Sequence, residues 1–355
     1  LGLFPEVGRK RESGHLCPMQ RYSAIGVMSG SSLDGMDLAW CEFTEENGKW
    51  TYSIREARTI PCSATLRDRL VNVMQGSALE LARLHCDMGK MIGDACREMV
   101  EGKSIDLIAS HGHTIFHKPD EGLTTQIGCG AEIAARSGIT TICDFRTMDV
   151  ALGGQGAPLV PLGEKLLFPQ YKTFLNIGGI CNIAVHSEDR VVGYDVCIGN
   201  QALNFLAEEI GERYDRDGAM ARSGEVNAAL LQRLNALPFH AQAPPRSLGR
   251  EWFGADVQPF ISDVSITLKD RMRTVVEHMA TIIGRSVKNN PDAVLVTGGG
   301  AHNGYLMERI SALCDARIEI PDRVTIEYKE ALIFALLGVL RLRKEETALA
   351  SVTGA

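Results

Sequence analysis

The 355-residue chain has no excess of positive charge: 37 lysines and arginines stand against 44 aspartates and glutamates, a formal net charge of -7. Its basic residues are scattered rather than striped, so it offers no field to hold nucleic acid nonspecifically, and no nucleic-acid partner is expected. Its apolar runs fall well short of a membrane span, which excludes a membrane partner through such a segment. No CxxC pair occurs, and the ten cysteines sit in apolar or helical settings such as "AWCEF", "LHCDM" and "TTICDF". These read as reduced, mostly buried thiols of a cytoplasmic protein rather than a disulfide framework. Residues 1–19 lack the apolar stretch of a secretory signal and are expected to be a disordered or extraneous lead. The two common phosphate signatures, GxxxxGK[ST] and GxGxxG behind a strand, are both missing.

What is present is length and repetition. A chain of 355 residues exceeds the roughly 250–300 at which single cores stop growing, so two domains and a cleft between them are expected. "AIGVMSG", "MDLAWCEF" and "TYSIREARTI" read as a three-strand antiparallel meander, followed by amphipathic helices in "TLRDRLVNVMQ" and "ALELARLHCDMGKMIGDACREMVEG" and a buried strand in "SIDLIASHGHTIFH". From about Thr173 the order returns. "KTFLNIGGICNIAVHSEDRVVGYDV" is a second meander, "NQALNFLAEEIGERY" a helix, "LKDRMRTVVEHMATIIGRSV" a helix, "DAVLVTGGG" a strand, and "YKEALIFALLGVLRLRK" a closing helix. The pattern implies a duplicated α/β unit with parallel strands added beside each meander, divided at 20–165 and 166–350, the closing helix able to pack back on the first unit. The Gly- and Pro-rich "ALGGQGAPLVPLGEKLLFP" between them suits an interdomain crossing or a lining loop.

Each half places a glycine or serine turn between its first two strands: "SGSSLDG" and "NIGGICN". Backbone N–H groups in such turns can cradle phosphate oxygens, although a plain hairpin turn uses glycine too. "VTGGGAHN" ends a buried strand and opens a helix, a place for a nucleotide or simply for tight strand-to-helix packing. Asp195 ends an apolar strand and precedes a helix, which suits a general base projecting into a cleft or an N-cap. Asp34 fits a metal ligand or an Asx-turn. Arg146 in "DFR" offers a fork for a carboxylate or a partner for Asp144 or Asp149. His111 and His113 in "SHGHT" stand at a strand end with polar neighbours, a setting common for structural histidines, and Glu330 is an acid at the opening of the last helix. "DRDGAMARSG" reads as a cleft-facing loop without the ligands of a calcium site, and Trp252 and Phe253 as packing into the interdomain surface.

The segments "IGVMSGSSLDGMD", "ASHGHTIFHKP", "DFRTMDVALGGQGAPLVP", "LNIGGICNIAV", "YDVCIGN", "PPRSLGREWF", "VLVTGGGAHN" and "EALIFALL" together resemble the anhydro-N-acetylmuramic acid kinases, within the sugar kinase, Hsp70 and actin superfold. The likeness runs from about Ala24 to Ala335. It implies a duplicated RNase H-like, actin-like ATPase fold with an interdomain cleft. It also implies ATP-dependent opening of 1,6-anhydro-N-acetylmuramic acid by water, with phosphorylation at O6, in cell-wall recycling. By resemblance, ATP is gripped by Gly30, Ser31, Ser32, Leu33, Asp34, Gly35, Met36, Asp37, Asn176, Gly178, Gly179, Gly298, Gly299, Gly300 and Asn303. Mg²⁺ accompanies ATP at Asp34 and Glu330, Asp195 is the base, and His111, His113, Arg146, Gly154, Gln155 and Glu330 meet the sugar. A homodimer is the family expectation. The chain departs from the family's usual DTGPGN at Val196, Cys197 and Ile198 and carries His113 where Gln is usual. Rival readings are a kinase for another anhydrosugar such as levoglucosan, or for a hexose, and an ATP- or sugar-binding switch without turnover.

Overall fold

A computed structural model describes residues 19–30, 35–187, 190–244, 246–248, 252–288 and 292–355. The first meander is β1 (Gln20–Ser29), β2 (Gly35–Glu46) and β3 (Lys49–Pro61), paired antiparallel. α1 (Ala64–Asn72) and α2 (Ala78–Val100) follow. α2 starts at a capping box, in which Ser77 Oγ accepts from the Glu80 N–H while the Glu80 carboxylate takes the Ser77 N–H at 2.8 Å. β4 (Leu107–Lys118) then lies parallel to β1, with β5 (Leu123–Ile127) antiparallel to its second half and β6 (Thr141–Cys143) parallel to its first half. α3 (Gly130–Ser137) precedes β6, and α4 (Thr147–Ala151) and α5 (Val160–Leu167) come after it.

The second meander is β7 (Thr173–Ile177), β8 (Ile180–His186) and β9 (Val191–Ile198), after which come α6 (Asn200–Glu208), α7 (Ala219–Ser223), α8 (Ala228–Asn235), α9 (Gln258–Ile261) and α10 (Leu268–Val287). β10 (Val294–Thr297), α11 (Gly304–Leu313), β11 (Ile318–Glu319), α12 (Arg323–Leu342) and α13 (Ala350–Thr353) complete the chain. The sheets run β3-β2-β1-β4 with β6 or β5 outside β4, and β9-β8-β7-β10-β11. Each is a meander read third-second-first and extended by parallel strands from its first member, the duplicated α/β architecture that the repeated pattern predicts.

α12 is the wedge between the two sheets. In the first sheet side chains alternate by face: Ile25, Val27, Leu38 and Ile108 pack with Leu84, Met88 and Ile92 of α2, while Ala24, Ala39 and Ala109 turn to α12. The α12 side is lined with small residues, and there the backbones meet. A Cβ on Gly26 would fall 1.8 Å from the Ala331 carbonyl oxygen, and one on Gly338 would fall 2.5 Å from the Ala109 Cβ. The opposite flank of α12 shares its core with Phe174 and Leu295 of the second sheet. A buried polar bridge adds to this contact. Lys329 Nζ lies 2.9 Å from Glu164 of α5, whose other oxygen is 3.3 Å from Nε2 of His186 on β8.

Three elements differ from the sequence reading. The strand seen in "SIDLIASHGHTIFH" is β4, but both histidines lie inside it rather than at its end, and it turns back as a hairpin with β5. Half of the Gly- and Pro-rich crossing is helix α5, with Pro161 in its first turn, where a missing N–H costs nothing. α12 begins at Arg323, capped by Asp322 Oδ1 accepting from the Thr325 N–H at 3.0 Å, so Glu330 stands two turns inside the helix rather than at its opening. Trp252 and Phe253 also pack elsewhere than expected, in the second sheet's core beside Phe239 and Phe205. Because Gly26 has no room for a methyl group, Gly26→Ala should destabilise the protein by about 3 kcal/mol, the upper end of ordinary overpacking. The measurement is a urea titration, with a lowered midpoint and an unchanged slope.

Candidate active site

Asp195 sits near the end of β9, where the pairing with β8 slips: Cys181 faces Cys197 and Asn182 faces Asp195, so Val196 is bulged out of register. A bulge re-aims the side chains beside it. The segment 246–248 pairs with this bend. The Asp195 N–H donates to the Arg246 carbonyl at 2.9 Å, and Arg246 Nε donates back to the Asp195 carbonyl at 3.0 Å. Arg246 Nη1 also donates to the carbonyls of Phe239, His240 and Gln242, which fixes the loop. From that loop the Leu248 N–H at 2.7 Å and Ser247 Oγ at 3.2 Å both donate to Asp195 Oδ2. Oδ1 accepts from no described residue. Burial raises the Asp195 pKa above its ordinary 3.8, and the Leu248 and Ser247 hydrogen bonds and Arg246 pull it partly back. The N-cap alternative does not hold, because the residue before α6 is Gly199 and no side chain caps that helix. Arg246, Ser247 and Leu248 were missed from sequence; their signal was the polar "RS" behind two prolines.

The glycine turn between β7 and β8 packs on the residues that follow β9. The Gly178 carbonyl accepts from the Asn200 N–H and the Gly179 carbonyl from the Gly199 N–H, while no acceptor among the described residues takes the N–H of Gly178 or Gly179. Gly298, at φ +83, lets the β10 turn press against Asn176 and Ile177: a Cβ there would lie 2.6 Å from Asn176 Oδ1. Gly300 packs as closely on Ile177, whereas Gly299 is exposed. Asn303 spends its side chain capping α11, accepting from the Leu306 N–H at 3.0 Å. Beyond these turns opens a cavity of about 1100 Å³, lined by Asn200, Gly299, Asn303, Arg323 and Glu327 and, from the first half, Arg67. Its volume suits a nucleoside. Asp215 and Asp217 line it as the cleft-facing loop expected, their carboxylates accepting from backbone N–H groups at the starts of α7 and α11.

The first half contributes charge. Ser31, Ser32, Leu33 and Asp34 lie outside the described residues, and Gly30 is half-buried just before them. Gly35 and Met36 belong to β2: Met36 is in the core, and a Cβ on Gly35 would meet the Ile60 carbonyl oxygen at 2.5 Å. Asp37 accepts from Thr59 Oγ1. Glu330 is exposed where α12 meets the end of β1; desolvation by the surrounding protein raises its pKa, Lys329 opposes this, the Asp37 charge adds to it, and Arg146 opposes it. No cluster of three or more metal-ligating side chains occurs among the described residues. Asp37 and Glu330 are instead two carboxylates close enough to repel, the sparse donor set that suits a Mg²⁺ carried mainly by phosphates.

Arg146 is held from behind. Its Nε donates to His111 Nε2 at 2.9 Å and its Nη1 to the Gly156 carbonyl at 2.6 Å. Since an arginine only donates, His111 is the Nδ1–H tautomer, giving that proton to the Gly112 carbonyl at 2.9 Å. Burial, and then Arg146, push the His111 pKa down to about 3, so the support stays neutral. Arg146 forms no ion pair with Asp144 or Asp149, contrary to the pairing alternative; Asp144 accepts from the Thr147 N–H and Asp149 from Gly156 and Thr353. His113 is buried, with Nδ1 3.1 Å from Ser29 Oγ, joining β4 to β1. Gly154 and Gln155 lie in the loop below Arg146.

A family model described as anhydro-N-acetylmuramic acid kinase matches residues 21–355. The chain belongs to the anhydro-N-acetylmuramic acid kinase family. Curated members are similar along almost their whole length. The protein of that name from Mannheimia succiniciproducens is 37% identical, covering 95% of this chain and 97% of the relative. Those from Gloeobacter violaceus and Vibrio cholerae are 36% and 37% identical, covering 94% and 95% of this chain. Among the described residues no helix is long and apolar enough to cross a membrane, and nine cysteines are free thiols.

The raised Asp195 pKa has a consequence for stability. The folded state binds this proton more readily than the unfolded state, so the carboxylate's contribution falls as pH climbs from 3.8 through the folded value. Asp195→Asn should therefore melt higher than wild type at pH 7, and the gap should shrink towards pH 4, as read by differential scanning calorimetry.

Proposed function

We propose that the protein is a kinase that uses ATP and water to convert 1,6-anhydro-N-acetylmuramic acid to N-acetylmuramic acid 6-phosphate and ADP in cell-wall recycling. Asp195 carries the proposal: a carboxylate at a bulged strand end with one oxygen fixed by two donors and the other engaged by no described residue, on the strand that leads to Gly199 and Asn200, where the glycine turn packs with N–H groups that no described residue accepts. In this reading Oδ1 takes a proton from water as the water oxygen bonds to C1. The C1–O6 bond breaks, O6 attacks the γ-phosphorus, and ADP leaves. Family membership supports the acceptor, and the carboxylate's raised pKa makes it a stronger base than an ordinary carboxylate.

The N–H groups of Gly178, Gly179 and Gly299 receive phosphate oxygens, and the cavity beside Asn200 and Arg323 takes the nucleoside. Gly30 and the Ser31–Asp34 stretch complete the phosphate grip from the first half. Magnesium, when bound with ATP, neutralises charge on the β- and γ-phosphates; Asp37 and Glu330, with Asp34, are the carboxylates that would hold it. Arg146 receives the lactyl carboxylate through the Nη2 that no described residue engages, backed by the neutral His111. Gly154 and Gln155 bring backbone close to the sugar. A homodimer and a cytoplasmic place complete the reading.

The deciding assay follows ATP consumption with anhydro-N-acetylmuramic acid, levoglucosan and glucose as acceptors. Turnover is expected only with the first, and phosphate is expected on O6; preference for another acceptor would reassign the substrate. Asp195→Asn should lower kcat by about 10²–10⁴, the range typical of a general base, with ATP affinity retained. Near-normal turnover would remove Asp195 from the mechanism.

A further inference from the structure

We infer that Asp149 and Thr353 are positioning residues that set the sugar-binding Arg146 through a hydrogen-bonded clasp, a role that rests on the acceptor proposed above. Arg146 Nη1 donates to the Gly156 carbonyl at 2.6 Å. The Gly156 N–H donates to Asp149 Oδ2 at 2.7 Å. Asp149 Oδ1 in turn accepts from Thr353 Oγ1 at 2.6 Å, and the Thr353 carbonyl accepts from the Gln155 N–H at 2.7 Å. Both carboxylate oxygens are thus used, one on the loop and one on α13. Asp149 is 8% exposed and Thr353 1%, so water offers neither group a substitute.

The loop cannot close over a larger residue. A Cβ on Gly154 would fall 2.3 Å from Asp149 Oδ2 and 2.8 Å from the Ala355 Cβ. The clasp also reaches the other half of the site. α13 touches β9, the strand of Asp195, and Pro158 Cγ lies 4.0 Å from where a Cβ on Gly193 would stand. α13 is therefore wedged between the loop that supports the cation and the strand that carries the base. Removing the Thr353 hydroxyl leaves a buried carboxylate oxygen unsatisfied, which loosens residues 153–156 and lets Arg146 lose its second anchor. The effect falls on the sugar, because the nucleotide's turns and cavity lie on other elements.

The test compares wild type, Thr353→Val, Thr353→Ser and Asp149→Asn as full chains. Steady-state kinetics gives separate KM values for anhydro-N-acetylmuramic acid and ATP, and hydrogen exchange follows the amides of Gln155 and Gly156. Thr353→Val should raise the sugar KM by about tenfold or more, leave the ATP KM and kcat within about threefold, and speed exchange at both amides. Thr353→Ser should restore both, and Asp149→Asn should shift the sugar KM in the same direction. A Thr353→Val protein with wild-type sugar KM and exchange overturns the clasp. So does a loss in which both KM values and kcat move together and serine gives no rescue. If wild type leaves this sugar untouched, the acceptor assignment fails, and the exchange of the two amides alone decides the clasp.

Discussion

The closeness of α12 to β1 sets the geometry on which the site depends. Ala331 rests its carbonyl where a side chain on Gly26 would be, and that contact holds the helix against the sheet rather than a side-chain layer away. Glu330, the preceding residue, is thereby placed at the end of β1, within reach of the Asp37 and Arg146 charges. Phe334, one turn on, packs its ring 4.7 Å from that of His111 and 5.4 Å from that of Phe145, and so backs the support of Arg146. The same helix carries Lys329 into the bridge with Glu164 and His186, which ties it to both halves of the molecule. A single element thus positions an acid, braces a cation and joins the two sheets. The buried bridge gains little net stability, because desolvation offsets its Coulomb attraction.

Charge in the site is managed by burial and by neutral partners. Asp195 and Glu330 both have pKa values above the carboxylate norm, desolvation being the main cause in each case although the Glu330 side chain stays exposed. Such groups cost folding stability at neutral pH and gain readiness to take up protons or cations. Arg146 is treated in the opposite manner: burial depresses its pKa, and the Glu330 and Asp149 charges oppose that shift. Its immediate partners are an imidazole kept uncharged and a backbone carbonyl, so its positive charge is not cancelled by a contacting carboxylate. That arrangement leaves a cation ready for an acidic ligand.

Much of this was legible in the residues. The two meanders, the amphipathic α2 and α10 and the buried β10 follow from period-2 and period-3.6 patterning, because each buries one face on a neighbour. The β4–β5 hairpin was hidden: His111, Gly112 and His113 look like a polar strand end, yet β4 continues through them because the histidines are buried and hydrogen-bonded. The start of α12 was misplaced because Pro321 and Asp322 are the true stop and cap, and "RVTIEY" has the β-branched look of a strand. The Gly178–Gly179 turn meets Gly199 and Asn200 at the start of α6. The bulge at Val196 and the clamp from Arg246, Ser247 and Leu248 rest on backbone pairing between segments some fifty residues apart, for which local pattern carries no signal. The reach of Thr353 to Asp149, 204 residues away in sequence, was hidden for the same reason.

The proposed reaction requires the Gly178–Gly179 turn and the stretch after Gly30 to hold one triphosphate, with Asp195 turned inward. A crystal structure with a non-hydrolysable ATP analogue and the anhydro sugar tests that most directly. The account predicts the β- and γ-phosphates between Gly178–Gly179 and the loop after Gly30, Arg146 on the sugar's carboxylate, and Asp195 Oδ1 within hydrogen-bond distance of a water facing C1. A triphosphate lodged away from both turns, or an Asp195 carboxylate directed out of the cleft, would contradict it.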